Sequence, residues 1–213
     1  MSGAWELERP SVLVCILTRE LVTTAWSKGF RDLQIPSGGS YAFFSGMPFD
    51  HARNTAVERT LEHGFQWLFF LDDDVIPPAD VIPRLLGRNC DIVSALYYRR
   101  AEPIVPVVIR ENGGQRIWVT DWPPGTSLVD ADMVGCGALL IHRRVFERMP
   151  KPWFEWLLDR PDIPEGQRCS EDFAFCRKAK QHGFAIKVDV GVACKHAGLA
   201  ASEIGGHLKP LSV

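Results

Sequence analysis

The stretch from Trp67 to Asp74 constrains this chain more than any other. Trp67–Leu71 is a continuous apolar run, and Asp72, Asp73 and Asp74 follow it directly. So short an apolar run, bounded by Gly64 and by charge, reads as a β-strand buried on both faces. Such strands belong to mostly parallel sheets covered by helices. Ligands of those sheets bind at the carboxyl ends of strands, where these three acids stand. Adjacent carboxylates repel one another, and nothing structural requires that cost. A divalent cation relieves it, and hard oxygen ligands suit Mg²⁺ or Mn²⁺. In an extended segment Asp72 and Asp74 share one side and Asp73 faces the other. The spacing therefore predicts that Asp72 and Asp74 hold a metal together. The alternative is an acid-decorated helix start ahead of Pro77.

The flanking pattern agrees with an α/β chain. Val12–Leu17 is another short apolar run, and a helix is expected over about 20–33. Ala52–His63 reads as a helix stopped by Gly64. Pro77 and Pro78 open a helix reaching Gly87, and Asp91–Tyr97 reads as a strand. Strands alternating with helices predict a mostly parallel central sheet flanked by helices. After residue 100 the pattern becomes mixed. Ile104–Ile109 and Gln115–Thr120 flank Glu111-Asn112-Gly113-Gly114, a hairpin signal. Strands are expected at Val129–Val134, Ala138–Ile141, Phe184–Val188 and Val190–Ala193, and helices at Arg143–Met149 and Glu171–His182. The reading is one domain over 1–213, with a nucleotide-type half at about 10–100, a mixed half at about 101–198 and a tail at 199–213.

Composition excludes some classes. With 46% hydrophobic and 23% charged residues among 213, the chain has ample apolar surface to bury and is not intrinsically disordered. The longest apolar stretch with glycine counted, Met133–Ile141, is far short of the ~20 residues a bilayer crossing needs. The start, MSGAWELERP, lacks a secretory pattern, so a cytoplasmic location is expected. Net charge is −2, from 24 Lys and Arg against 26 Asp and Glu, which disfavours a strong electrostatic nucleic-acid binder. The six cysteines form no metal-type spacing and are expected as free thiols.

Further chemistry-bearing residues lie along the chain. Ser170-Glu171-Asp172 opens a helix, with Ser170 as its expected cap. A carboxylate there is also well placed as a general base. Thr18-Arg19 ends the first strand, where a nucleotide base would lie. Arg53 and Asn54 fall in an expected first helical turn, where a cation opposes the dipole and an anionic ligand would account for it. Trp153 and Trp156 are core residues or platforms that stack on a sugar ring. His196 follows the last strand, and matters if the fold brings it to the acids.

Taken in order, these pieces resemble the metal-dependent GT-A glycosyltransferases, most closely the family-2-like bacterial and phage enzymes. The matching segments are Thr18-Arg19, Ala52–Asn54, Leu68–Asp74, Asp91–Arg100, Gly135–Phe146, Trp153–Trp156, Ser170–Phe184 and Lys195–Gly198. They span about residues 12 to 198. The resemblance implies the GT-A fold and transfer of a sugar from a nucleoside-diphosphate sugar (a UDP- or GDP-sugar) to an acceptor hydroxyl. It implies that Asp72 and Asp74 form the DxD motif, with His196 as third ligand of Mn²⁺ or Mg²⁺. Thr18 and Arg19 would bind the nucleoside, with Arg53, Asn54 and Asp73 also on the donor. Gly135, Cys136 and Gly137 would let the acceptor approach. Asp172 would be the base of an inverting displacement, with Glu171 beside it. The acidic residue usual after the family's second strand is not evident in 31–41. The acceptor is open: a glycan, a lipid-linked sugar, or a modified nucleobase in DNA that Arg143, Arg144, Arg148 and Lys151 would suit. Alternatives using the same acids are a nucleotidyltransferase and a Mg²⁺-dependent phosphatase. A non-catalytic sugar-binding module is disfavoured by the intact acidic and histidine elements.

Overall fold

A computed structural model describes residues 10–113 and 115–197. The expected tail, Gly198 and the nine N-terminal residues up to Arg9 lie outside the described residues, as does Gly114 of the predicted turn.

The elements run in the order β1 (Val12–Leu17), α1 (Thr24–Arg31), β2 (Ser40–Phe44), α2 (Phe49–Glu62), β3 (Trp67–Asp72), β4 (Val75–Ile76), α3 (Val81–Leu86) and β5 (Ile92–Leu96). There follow β6 (Val108–Asn112), β7 (Gln115–Trp118), β8 (Leu128–Ala131), β9 (Met133–Val134), β10 (Ala138–His142), α4 (Arg143–Arg148), α5 (Glu171–Gln181), β11 (Ile186–Ala193) and β12 (Lys195–His196). The main sheet has seven strands in the order β2-β1-β3-β10-β5-β11-β8. β1 pairs in parallel with β2 and β3, and β5 with β11. β10 returns antiparallel between β3 and β5, and β8 is antiparallel at one edge. The mixed half adds a small sheet, β7-β6-β9.

Alternation along β1 and β3 shows why these strands are apolar throughout. Leu13, Cys15, Leu17, Leu68 and Phe70 pack on one face with Ala56 and Val57 of α2 and Phe175 of α5. Val12, Val14, Ile16, Phe69 and Leu71 pack on the other with Trp26 of α1 and Leu85 of α3. Each such side chain contributes roughly 1.5–3 kcal/mol by leaving water, so the strand ends that carry the acids are rigidly based.

Several expectations change. β2 was not expected. It is an edge strand with four of its five residues at least partly exposed, so it lacks the apolar signature of a doubly buried strand. β11 is one strand where two were expected, with a register shift between Asp189 and Ala193. α2 begins at Phe49, which moves Arg53 past the first turn. Ser170 is the N-cap residue of α5, but its hydroxyl donates to Asp172 instead of accepting from a helix amide.

The candidate donor and base site

The three acids at the end of β3 take three different sets of partners. A turn at Asp73–Asp74 separates β3 from β4, so the segment is not extended throughout, and Asp72, Asp73 and Asp74 all line one cleft. Asp72 Oδ1 accepts from Arg53 Nη2 at 3.2 Å. Asp73 Oδ2 accepts from the Arg19 amide at 2.8 Å. Asp74 meets Arg100 at 3.0 Å and His196 at 3.3 Å. The backbone of Asp72 is pinned on both sides, its amide donating to the Gly137 carbonyl and its carbonyl accepting from Trp26 Nε1 at 2.9 Å.

His196 reaches Asp74 because β12 pairs antiparallel with β4, setting His196 opposite Val75. Its Nδ1 lies 2.6 Å from the Tyr98 carbonyl oxygen. That oxygen only accepts, so Nδ1 carries hydrogen. In the neutral ring Nε2 then faces a carboxylate oxygen, acceptor to acceptor, and in the protonated ring it donates to that oxygen. A cation between them satisfies both, and a backbone carbonyl behind the ring is the usual support of a metal-bound histidine. Asp74 and His196 thus fit a divalent ion. Among the described residues no three acid, histidine or cysteine side chains converge into a ready cage, because Asp72 is turned to Arg53. Burial alone would raise the Asp74 pKa, but the hydrogen bond and charge of His196 and the charge of Arg100 outweigh it and lower it. Burial raises Asp72, against the pull of Arg53, although 30% of its side chain is accessible.

Asp72, Asp73, Asp74 and Arg100 line a cleft of about 340 Å³ with Leu17, Arg19, Leu21, Thr23, Phe49 and Ala197. A second cleft of about 460 Å³ adjoins it through Leu17, Arg19 and Phe49, and is walled by Thr18, Phe44, Gly46 and Met47. Thr18 Oγ1 accepts from the Glu20 amide and shapes the turn after β1. The residues after β2, which carry this second cleft, are 45–49. The acid sought in 31–41 was sought ahead of the strand that places it.

Arg53 joins this cleft to the start of α5. It is buried, its Nε donates to Glu171 Oε1 at 3.1 Å, and its guanidinium lies 5.0 Å from the Phe70 ring. Nη1 is buried without a hydrogen-bond partner, a cost of about 1–3 kcal/mol. The acidic side chains near Arg53 are therefore Asp72, Glu171 and Asp172 of the chain itself, the first two hydrogen-bonded to it. Asp172 Oδ1 accepts from Ser170 and from the Phe173 amide, leaving Oδ2 without a described donor. Burial, then the charge of Glu171, push the Asp172 pKa up to about 6, against the Ser170 hydrogen bond and Arg53.

The remaining expected residues sit as follows. Gly135, Cys136 and Gly137 are buried. The glycines make room for Tyr97: a Cβ at Gly135 would lie 2.1 Å from its hydroxyl oxygen, and the Gly137 amide donates to that oxygen at 3.0 Å. Asn54 spends its amide on the 153–154 backbone, accepting from Trp153 and Phe154 and donating to the Phe154 and Asp50 carbonyls. Trp153 is core, donating to the Phe146 and Met149 carbonyls, whereas Trp156 is 39% exposed. The basic stretch is committed locally. Arg143 pairs with Glu147, Arg144 with Asp91 and Lys151 with Glu58, while Arg148 lies over Phe184. It follows His142, which pairs with Trp67 at the far end of β3 from Asp72, about 16 Å away at ~3.3 Å per residue. The sequence reading missed Trp26, Tyr97 and the Tyr98 carbonyl. All six cysteines are free, and among the described residues no helix is long and apolar enough to cross a membrane.

No family model matches this chain, and no curated protein matches it in sequence. Its likeness is structural. A197 from STIV superposes with a TM-score of 0.65 at 19% identity, over 95% of each chain. GalNAc-T7, in a crystal structure with UDP, GalNAc and Mn²⁺, superposes at 0.62 with 12% identity, over 90% of this chain and 44% of its own. The mixed α/β fold, with its mostly parallel sheet between helices, matches that of a GT-A glycosyltransferase.

Proposed function

We propose that this chain transfers a glycosyl group from a UDP- or GDP-sugar to an acceptor hydroxyl, with inversion at the anomeric carbon. One observation carries the reading. An acid- and arginine-lined cleft at the ends of β1 and β3 is tied through Arg53 to a helix start bearing a carboxylate of raised pKa, Asp172. The matching fold of GalNAc-T7, whose structure contains UDP, GalNAc and Mn²⁺, supports it.

In this reading the nucleoside occupies the cleft beside Thr18, Arg19 and Phe49, and the diphosphate lies along the cleft holding Asp72, Asp74 and Arg100. Asp73 holds the Arg19 amide, so it fixes the turn between the two clefts. Asp74 and His196 would hold Mn²⁺ or Mg²⁺, with Asp72 close enough in sequence to join them. A divalent ion bound there supplies Lewis acidity to the departing diphosphate. Arg100, half exposed beside Asp74, adds positive charge on the same side. Asp172 takes the proton from the acceptor hydroxyl through its free Oδ2. The hydroxyl oxygen bonds to the anomeric carbon as the carbon–phosphate-oxygen bond breaks, and the diphosphate leaves with the electron pair. Trp156, exposed at the surface, is the remaining candidate to stack on an acceptor sugar.

The deciding experiment offers a panel of UDP- and GDP-sugars with Mn²⁺ and follows nucleoside-diphosphate release, with the product's anomeric configuration read by NMR. Release with inversion is the expected result. A product of retained configuration removes the role of Asp172, and absence of release across the panel removes glycosyl transfer.

A further inference from the structure

Glu171 and Asp172 are neighbours, yet their surroundings differ. Successive helical residues point about 100° apart, at 3.6 residues per turn. Glu171 is buried and gives its carboxylate to Arg53. Asp172 is bound on Oδ1 only. Arg53, delivered from α2, meets Asp72 with Nη2 and Glu171 with Nε, so one rigid planar group sets the separation of two carboxylates. A buried ion pair is weak as a stabilising device, since well-packed apolar residues do as well or better. Here it also leaves Nη1 buried and unpartnered. Stability alone does not account for such an arrangement, whereas fixed geometry does.

We propose that Arg53 and Glu171 form a positioning pair. The guanidinium sets the distance between the cleft acid Asp72 and the first turn of α5, and so places Asp172 for proton transfer. Glu171 is then an anchor and not a proton acceptor. This rests on the glycosyl-transfer reading, because Asp172 has a proton to take only in that reaction.

The test compares Arg53→Lys, Glu171→Gln, Glu171→Ala, Arg53→Lys/Glu171→Ala and Asp172→Asn, using the nucleotide-sugar that the wild-type chain turns over. It reads kcat, donor KM and melting temperature. Lysine keeps the charge but cannot reach both carboxylates, so Arg53→Lys loses ~10²-fold in kcat, with donor KM changed much less. Glutamine keeps an acceptor for Arg53 Nε, and Glu171→Gln loses no more than about tenfold. Glu171→Ala loses as much as Arg53→Lys, and the double variant loses no more than either, as members of one unit do. Melting temperatures do not follow this order. Glu171→Gln falling as far as Asp172→Asn would make Glu171 the base and overturn the proposal. So would wild-type kcat in Arg53→Lys, or in Glu171→Ala should the lysine variant fail to fold. If the wild-type chain turns over no nucleotide-sugar, glycosyl transfer falls and the pair's role falls with it. If it does, the outcome bears on Arg53 and Glu171 alone.

Discussion

His196 Nε2 lies 3.3 Å from Asp74 Oδ1, while His196 Nδ1 lies 2.6 Å from the carbonyl oxygen of Tyr98. The second contact constrains the first. A carbonyl cannot donate, so Nδ1 carries a hydrogen, and Nε2 meets the carboxylate either with a lone pair or with a second hydrogen. Either a proton or a metal ion joins two such groups. Arg100 at 3.0 Å from the other Asp74 oxygen adds positive charge to the same carboxylate.

The first prediction follows. At pH 7.5, Mn²⁺ raises the melting temperature of the wild-type chain, as any ligand of the native state does. Asp74→Ala and His196→Ala each weaken Mn²⁺ binding by at least about tenfold. Calorimetric titration measures the affinities. A wild-type melting temperature indifferent to Mn²⁺, with and without UDP, would show that a proton joins the pair.

The second concerns Asp172, whose two pH dependences have opposite sign. A base must be ionised, so turnover rises as pH increases through about 6. Stability runs the other way. The folded chain holds this proton more tightly than the unfolded one, whose aspartate keeps the ordinary value of 3.8. The stabilisation is therefore complete below 3.8 and lost as pH rises through about 6. Asp172→Asn should lose ~10² or more in kcat and melt higher than wild type at pH 8. Rate profiles and melting curves across pH 4–9 check both, and an asparagine variant of full turnover contradicts the assignment.

The third prediction tests the Tyr97 contact. A methyl at Gly135 would lie 2.1 Å from the Tyr97 hydroxyl oxygen but 3.3 Å from Cζ. Gly135→Ala should destabilise by roughly 1–3 kcal/mol. Tyr97→Phe leaves the Gly137 amide without its acceptor, at a similar cost of about 1–3 kcal/mol. Made together, they should cost less than the sum, because the phenylalanine vacates the space the methyl needs. Urea unfolding of the cycle measures the coupling, and strict additivity would mean that Tyr97 does not fill the glycine gap.

The strands carrying the acids were readable because burial on both faces leaves an unbroken apolar run, as at Val12–Leu17 and Trp67–Leu71. β2 escaped because an edge strand is mostly exposed and mixes Ser40 with aromatics. The different partners of Asp72 and Asp74 depend on a turn that three consecutive aspartates do not announce. Arg53 was singled out for a charge in an unexpected place, but its partners lie 19 and 118 positions away. Only the packing of α2 between β3 and α5 could name them. The roles of Tyr97 and the Tyr98 carbonyl were equally hidden. One acts through the missing side chains of glycines some 40 residues on, and the other through a backbone atom whose identity no side chain encodes.

The last prediction separates two tryptophans that look equivalent in the sequence Trp153-Phe154-Glu155-Trp156. Trp153 is 3% exposed, and its indole donates to two carbonyls at the end of α4. Its backbone and that of Phe154 are held by the Asn54 side chain, which has no hydrogen-bonding capacity left for a ligand. Trp156 is 39% exposed, and among the described residues its indole bonds only to Asp159. Trp153→Ala should therefore destabilise by ~3–5 kcal/mol. Asn54→Ala should cost at least ~1–3 kcal/mol through the buried backbone groups it strands. Trp156→Ala should stay within about 0.5 kcal/mol of wild type, and a saccharide that stacks on Trp156 should quench fluorescence in the wild-type chain with that part of the quenching lost in the variant. Denaturant unfolding gives the three stabilities, and a saccharide titration of Trp156→Ala gives the fluorescence. Quenching that survives undiminished in Trp156→Ala would place the acceptor sugar elsewhere on the chain.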